Sequence, residues 1–163
     1  MVQWPVRRSY VIYVVVEGPS DEGFIEGIAK RIGVTEIKVH RMRGNRLDKL
    51  RRLVNALYTE GKVIVLKDEH WNPSLVDSVE RGLGGLAKVI RVKCSIESWI
   101  LIGLCAEQSE RCDDPVKRLK EYLGTKDRVK SEVVYKGLAE KIDIEKLKKH
   151  SMGFREFLEA ISS

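Results

Sequence analysis

The stretch Tyr10-Val11-Ile12-Tyr13-Val14-Val15-Val16-Glu17-Gly18-Pro19-Ser20-Asp21 decides the fold. A run of β-branched and aromatic residues stops on a carboxylate, turns at Gly-Pro and opens a helix. A buried strand that ends in Glu-Gly sets an acid at the edge of a parallel sheet, where α/β proteins keep their active sites. A second strand, Lys62-Val63-Ile64-Val65-Leu66-Lys67, stops on Asp68-Glu69-His70. Two strands that deliver acids to one sheet edge point to a metal site.

Working outward, residues 9–16 read as the first strand and 20–32 as a helix with Ser20 as N-cap. Phe24, Ile25, Ile28 and Ile32 give that helix its apolar spacing, and Gly33 stands where a C′ glycine belongs. Residues 35–41 alternate as a strand, and 46–60 form a helix with Leu47, Leu50, Leu53, Val54 and Leu57 on one stripe. Strand 62–67, a short helix near 74–82, strand 87–93 and a helix from Ser95 to about 104 follow. This alternation predicts βαβ units and a mostly parallel four-stranded sheet with flanking helices. The first and third strands must be neighbours if their acids share an ion, which gives the order 2-1-3-4.

After Cys105 the pattern is helical only, with Pro115 at a first helical position and segments at 115–123, 128–141 and 143–149. Phe154, Phe157, Leu158 and Ile161 mark a last amphipathic helix. These segments are too short to bury a core alone. The chain therefore divides into an α/β domain at 1–106 and a helical extension at 107–163 packed on it.

The 163 residues carry 43% hydrophobic and 33% charged side chains, a globular composition. No apolar run reaches membrane-span length, and the N-terminus lacks a signal-peptide pattern. Three cysteines, an odd number with no C-x-x-C pair, argue for a reducing, cytoplasmic setting and against a structural zinc site. Few Gln and Asn beside many Lys, Arg, Glu and Ile follow the thermophile trend. There is no G-x-x-x-x-G-K-[ST] phosphate loop and no G-x-S-x-G nucleophile motif.

The formal net charge is +6. Lys38, Arg41, Arg43, Arg46, Lys49, Arg51 and Arg52 against Asp48 account for all of it within 38–52. A basic patch beside acids suits a polyanion, most commonly nucleic acid, although basic helix faces are also ordinary solvated surface. Arg41, Arg43, Arg46, Lys49 and Arg52 are the candidate contacts.

Converging carboxylates repel unless a cation neutralises them. Glu17, Asp68, Glu69 and Glu97 are candidate ligands for a hard divalent ion, with His70 a further ligand or a general base. Asp21, one turn into the first helix, either touches the same site or complements the helix dipole. Each strand-end acid could instead cap a turn, Asp68 toward Pro73 for example.

E-G-P-S-D after one hydrophobic strand and an Asp-led acid cluster after another resemble the Toprim domain of topoisomerases, bacterial-type primases and OLD-family nucleases. The first motif is intact at Glu17, Gly18 and Asp21. In the second, D-x-D, Asp68 matches but His70 replaces the second acid. Ile96-Glu97-Ser98-Trp99-Ile100-Leu101, and the run from Tyr135-Lys136-Gly137 to Phe154-Arg155-Glu156-Phe157, are similar to small proteins allied to the OLD-type Toprim nucleases. The resemblance spans roughly residues 10–161. It implies a Toprim-like fold, with Glu17 as general acid/base or ligand, Asp68 as main ligand, and Glu97 as a third acid of a Mg²⁺ or Mn²⁺ site. It makes Lys136 a candidate phosphate contact.

These expectations describe a metal-dependent nuclease acting on DNA or RNA, with a protein partner encoded elsewhere as a further expectation. The alternatives are a nucleic-acid-binding module without turnover, which His70 favours, and an interaction subunit of a repair or defence complex. Trp71, beside the acids, is either a base-stacking or a packing residue.

Overall fold

The alternation of strands and helices is realised as β1 (Val11–Val16), α1 (Pro19–Ile32), β2 (Ile37–Arg41), α2 (Leu47–Tyr58), β3 (Gly61–Asp68), α3 (Pro73–Leu83), β4 (Lys88–Val92) and α4 (Ile96–Gly103). Helices α5 (Pro115–Leu123), α6 (Glu132–Lys141), α7 (Ile144–His150) and α8 (Met152–Ser162) follow. The computed structural model describes residues 11–42, 46–69 and 72–162. Its sheet has the order β2-β1-β3-β4 with every neighbour parallel, a Rossmann-like and Toprim-like arrangement. Trp4, Arg43, His70 and Trp71 lie outside the described residues.

Both faces of the sheet are covered, which is why its central strands are apolar apart from Lys62 and Lys67 toward the ends of β3. Tyr13, Val15, Val63 and Val65 pack with Leu50, Val54, Leu57, Val79 and Leu83 on the side of α2 and α3. Ile12, Val14, Val16, Ile64, Leu66 and Ile90 face the opposite side. There they share one core with Phe24, Ile28, Trp99, Tyr135, Leu147, Phe154 and Phe157, drawn from α1, α4 and the C-terminal helices. Trp99 stacks edge-on against Phe154 at 5.2 Å between ring centroids and donates its indole N–H to Glu110 at 3.0 Å.

Helix α1 is buried well beyond its apolar stripe. Ser20, Asp21, Gly23, Phe24, Ile25, Gly27, Ile28 and Ala29 are all buried, because the helix lies between the sheet and α6. Two glycines make that contact close. A methyl group at Gly23 would sit 2.1 Å from the Glu132 carbonyl oxygen, and one at Gly27 would sit 2.6 Å from Ala139 Cβ. Side chains there would force the helices apart.

Several local expectations are corrected. Gly18, not Ser20, is the N-cap of α1, because the turn after β1 is completed by the Gly18 backbone before Pro19 enters the helix. Ser95 does cap α4 by position, yet neither Ser20 nor Ser95 makes a side-chain cap bond. Residues 128–131 are not helical: the Ser131 hydroxyl accepts from Val134 N at 3.1 Å and starts α6 there. Cys94 and Cys112, 18 residues apart, form a disulfide that joins the β4–α4 turn to the segment before α5, and Cys105 is free and exposed. Two of the three cysteines are thus paired, contrary to what a reducing compartment would give. No short spacing signals the pair; the fold brings the two thiols together.

Candidate functional site

The strand register builds the site. Val15 lies opposite Val65 across β1 and β3, so two residues further on Glu17 comes level with Lys67. Both side chains project from the α2 side of the sheet by the two-residue alternation, and the Lys67 ammonium pairs with the Glu17 carboxylate. Asp68, the last residue of β3, alternates to the opposite side, where α1 and α4 lie.

On that opposite side two acids are buried. Asp21 is 8% exposed and Glu97 3%. Gly18 and Pro19 start α1 straight after β1, so Asp21 sits within the first turn, while Glu97 sits in the first turn of α4. Burial, reinforced by the Glu97 charge and then by Glu17 and opposed by Lys130, pushes the Asp21 carboxyl up to about 7. Tyr135, delivered by α6, is fully buried beside the same pair. Burial and the charges of Glu97 and Asp21 push its phenol well above the usual range. Its hydroxyl faces Glu97 without reaching full hydrogen-bond geometry, and the buried Ser20 and Ser95 hydroxyls also lack partners.

The donor set is therefore carboxylate and hydroxyl oxygen, and the Glu97 and Glu17 charges both act to raise the Asp21 carboxyl. That is the chemistry of a hard divalent ion, and orphaned buried hydroxyls are where ion-bound waters find partners. The donor chemistry suits such an ion, while among the described residues the carboxylate oxygens that already lie within 4.8 Å of one another are those of Glu22, Glu26 and Glu132.

The remaining candidates are placed elsewhere. Glu69 turns to Arg91 at 3.9 Å, and Arg91 also holds Asp77 and, at 3.0 Å, Glu80, so Glu69 joins the α3 side and not the buried acids. Arg41 is held by Glu22 and, at 3.1 Å, by Glu132. Arg46 pairs with Asp48 at 2.8 Å, and Lys136 pairs with Glu26 at 3.5 Å. Lys49 and Arg52 are exposed on α2. Glu22, Glu26 and Glu132 bring carboxylate oxygens within 4.8 Å of one another, and Arg41 and Lys136 offset two of their three charges.

A cleft of about 730 Å³ opens beside Glu17. Arg41, Arg46 and Lys49 stand around it, and Val39, Leu50 and Leu53 make it partly apolar. The cleft places part of the basic segment next to the acids, a juxtaposition that the spacing of 38–52 left open.

Sequence reasoning missed Lys67, Lys130 and the site role of Tyr135, and left Asp21 between a contact to the site and a complement to the helix dipole. Lys67 carried a legible signal, a lysine inside an otherwise apolar strand. Tyr135 carried none of its own, since its place depends on the close α1–α6 contact.

No family model matches this chain, and no curated protein matches it. Among solved structures, the chain is similar to the C-terminal region of the Xanthomonas campestris pv. campestris OLD protein. One structure of that region aligns with a TM-score of 0.56 and 17% identity over 93% of this chain and 92% of the other. A second gives a TM-score of 0.49 and 15% identity over 94% and 95%. The first supports the fold, including the helical C-terminal part. Among the described residues, no helix is long and apolar enough to cross a membrane.

Proposed function

We propose that this chain is a divalent-metal-dependent phosphodiester-processing protein, a nuclease acting on DNA or RNA. The observation that carries the reading is the buried pair Asp21 and Glu97, set with orphaned hydroxyls at the end of the sheet beside Glu17. The Toprim resemblance of the Glu17–Asp21 and Asp68 motifs and the fold shared with the OLD C-terminal region lend support.

Asp68, Glu97 and Asp21 would hold Mg²⁺ or Mn²⁺. When bound, the ion supplies charge neutralisation at a phosphodiester and a lowered pKa for an attacking water. The protein's own groups do the rest. Glu17, 24% exposed at the mouth of the cleft, is the carboxylate placed to take a proton from water. Arg46, Lys49 and Arg41 hold the polyanion's phosphates along the cleft. The walls of α1, α4 and α6 exclude bulk water from Asp21 and Glu97, which strengthens every charge interaction there.

A second reading, a nucleic-acid-binding module without turnover, draws on Lys67 holding Glu17 and on histidine at the second acid position of the motif. Labelled single- and double-stranded DNA and RNA incubated with Mg²⁺, Mn²⁺ or EDTA separate the two. The nuclease reading expects metal-dependent cleavage that Glu17→Gln abolishes. Salt-steep gel shifts by both proteins, with cleavage by neither, would replace it with the binding module. Neither cleavage nor shifts would favour an interaction subunit.

A further inference from the structure

Lys67 is 5% exposed and, among the described residues, is the basic side chain that joins Asp21 and Glu97 in the buried set. The strand around it, Val63-Ile64-Val65-Leu66, is apolar, so packing alone would be served as well by methionine. Burying an ammonium costs several kcal/mol unless a counter-charge meets it. Here the counter-charge is Glu17, and the register between β1 and β3 brings the two level on the α2 side. Asp21 and Glu97 belong to the α1 side, and Asp68 alternates toward it. The acids at the sheet edge are thus split between the two faces. A fixed cation sits against Glu17, and divalent ligands remain on the other side.

We propose that Lys67 is a built-in cation standing in place of a second divalent ion, so that the site loads one ion, held by Asp21, Asp68 and Glu97, while Lys67 neutralises Glu17. The proposal rests on the metal-dependent reading above. It assigns Lys67 a positioning role: its ammonium pairs with Glu17 and holds that carboxylate out of the ion's coordination sphere. It also gives the strand a reason to bury a lysine.

Mn²⁺ binding to the full chain, followed by titration calorimetry and by the Mn²⁺ electron-paramagnetic signal, tests it without any activity readout. A Glu132→Gln background keeps the surface carboxylates out of the count. The wild-type site should bind one ion per chain. Lys67→Met should bind a second, or bind the first roughly tenfold more tightly, because a positive charge near the ion is gone. Lys67→Arg should keep one ion with little change. Two ions on the wild type, or an unchanged count and affinity in Lys67→Met, would overturn the Lys67 assignment and leave the metal-dependent reading standing. No ion on either protein would overturn the metal-dependent reading itself. Should circular dichroism show Lys67→Met unfolded, Lys67→Gln takes its place, and a wild-type count of two still refutes the proposal.

Discussion

The two sides of the sheet edge solve the same electrostatic problem differently. On the α2 side, Glu17 is met by Lys67, and Arg46 and Lys49 stand around the adjoining cleft. On the α1 side, Asp21 and Glu97 are enclosed by α1, α4 and α6, with Lys130 the cation that opposes their charge on Asp21. The α2 side is open and compensated. The α1 side is closed, and a folded protein buries neighbouring acids only where other charge offsets them or where function needs the strain. On the proposed reading, the open side receives the polyanion's phosphates and the enclosed acids at the same sheet edge would hold the ion.

Removing a proposed ligand from the closed side should have the largest effect. Glu97→Gln is isosteric, and it should lower metal-dependent cleavage by at least about 100-fold while leaving the thermal midpoint unchanged or raised. Cleavage kinetics beside a thermal melt check this, and equal loss of both would recast Glu97 as a folding residue.

The wall of that pocket comes next. Gly23→Val drives a side chain into the Glu132 backbone and should cost about 3 kcal/mol or more, read as a lower denaturant midpoint. A neutral result would show that α6 can retreat from α1 and that Tyr135 is not held where the closed pocket needs it.

The Asp21 carboxyl gives a pH signature. Its folded value, about 7, lies above its ordinary value of 3.8, so between those limits the folded state binds more protons than the unfolded state. Its stabilisation is therefore fully present below about pH 4 and is lost as pH rises through 7. In EDTA, wild type should lose a few kcal/mol relative to Asp21→Asn between pH 5 and pH 8, and Mg²⁺ should restore part of it. Parallel stability curves for the two proteins would mean that the pocket is more solvated than its enclosure implies.

The smallest effects belong to the open side. Lys49→Ala and Arg52→Ala should each weaken nucleic-acid binding a few-fold and flatten its salt dependence by close to one charge. An unchanged salt slope in the double variant would move the polyanion off α2.

The sequence made the strand order legible for a physical reason: acids at the ends of strands one and three can act together only as neighbours, and β1 and β3 are neighbours. Apolar strands without alternation likewise announced a sheet covered on both faces. What stayed hidden needed tertiary contact. Gly23 and Gly27 read as weak points in a helix, and only α6 lying on them shows them as a docking surface. Tyr135 reaches the acids because of that docking. Cys94 and Cys112 meet because the β4–α4 turn and the segment before α5 converge. The basic segment was legible as a charge excess, yet its division into partners of Glu22, Glu132 and Asp48 and residues around the cleft was not. Glu69 looked equivalent to Asp68 in sequence, but the end of the strand turns it to Arg91.

The most direct measurement is a crystal of the full chain soaked in Mn²⁺, with anomalous scattering to locate the ion. The account predicts a peak among Asp21, Asp68 and Glu97 on the α1 side, lost in Glu97→Gln. A peak only at the surface trio Glu22, Glu26 and Glu132, or none at millimolar Mn²⁺, would contradict it.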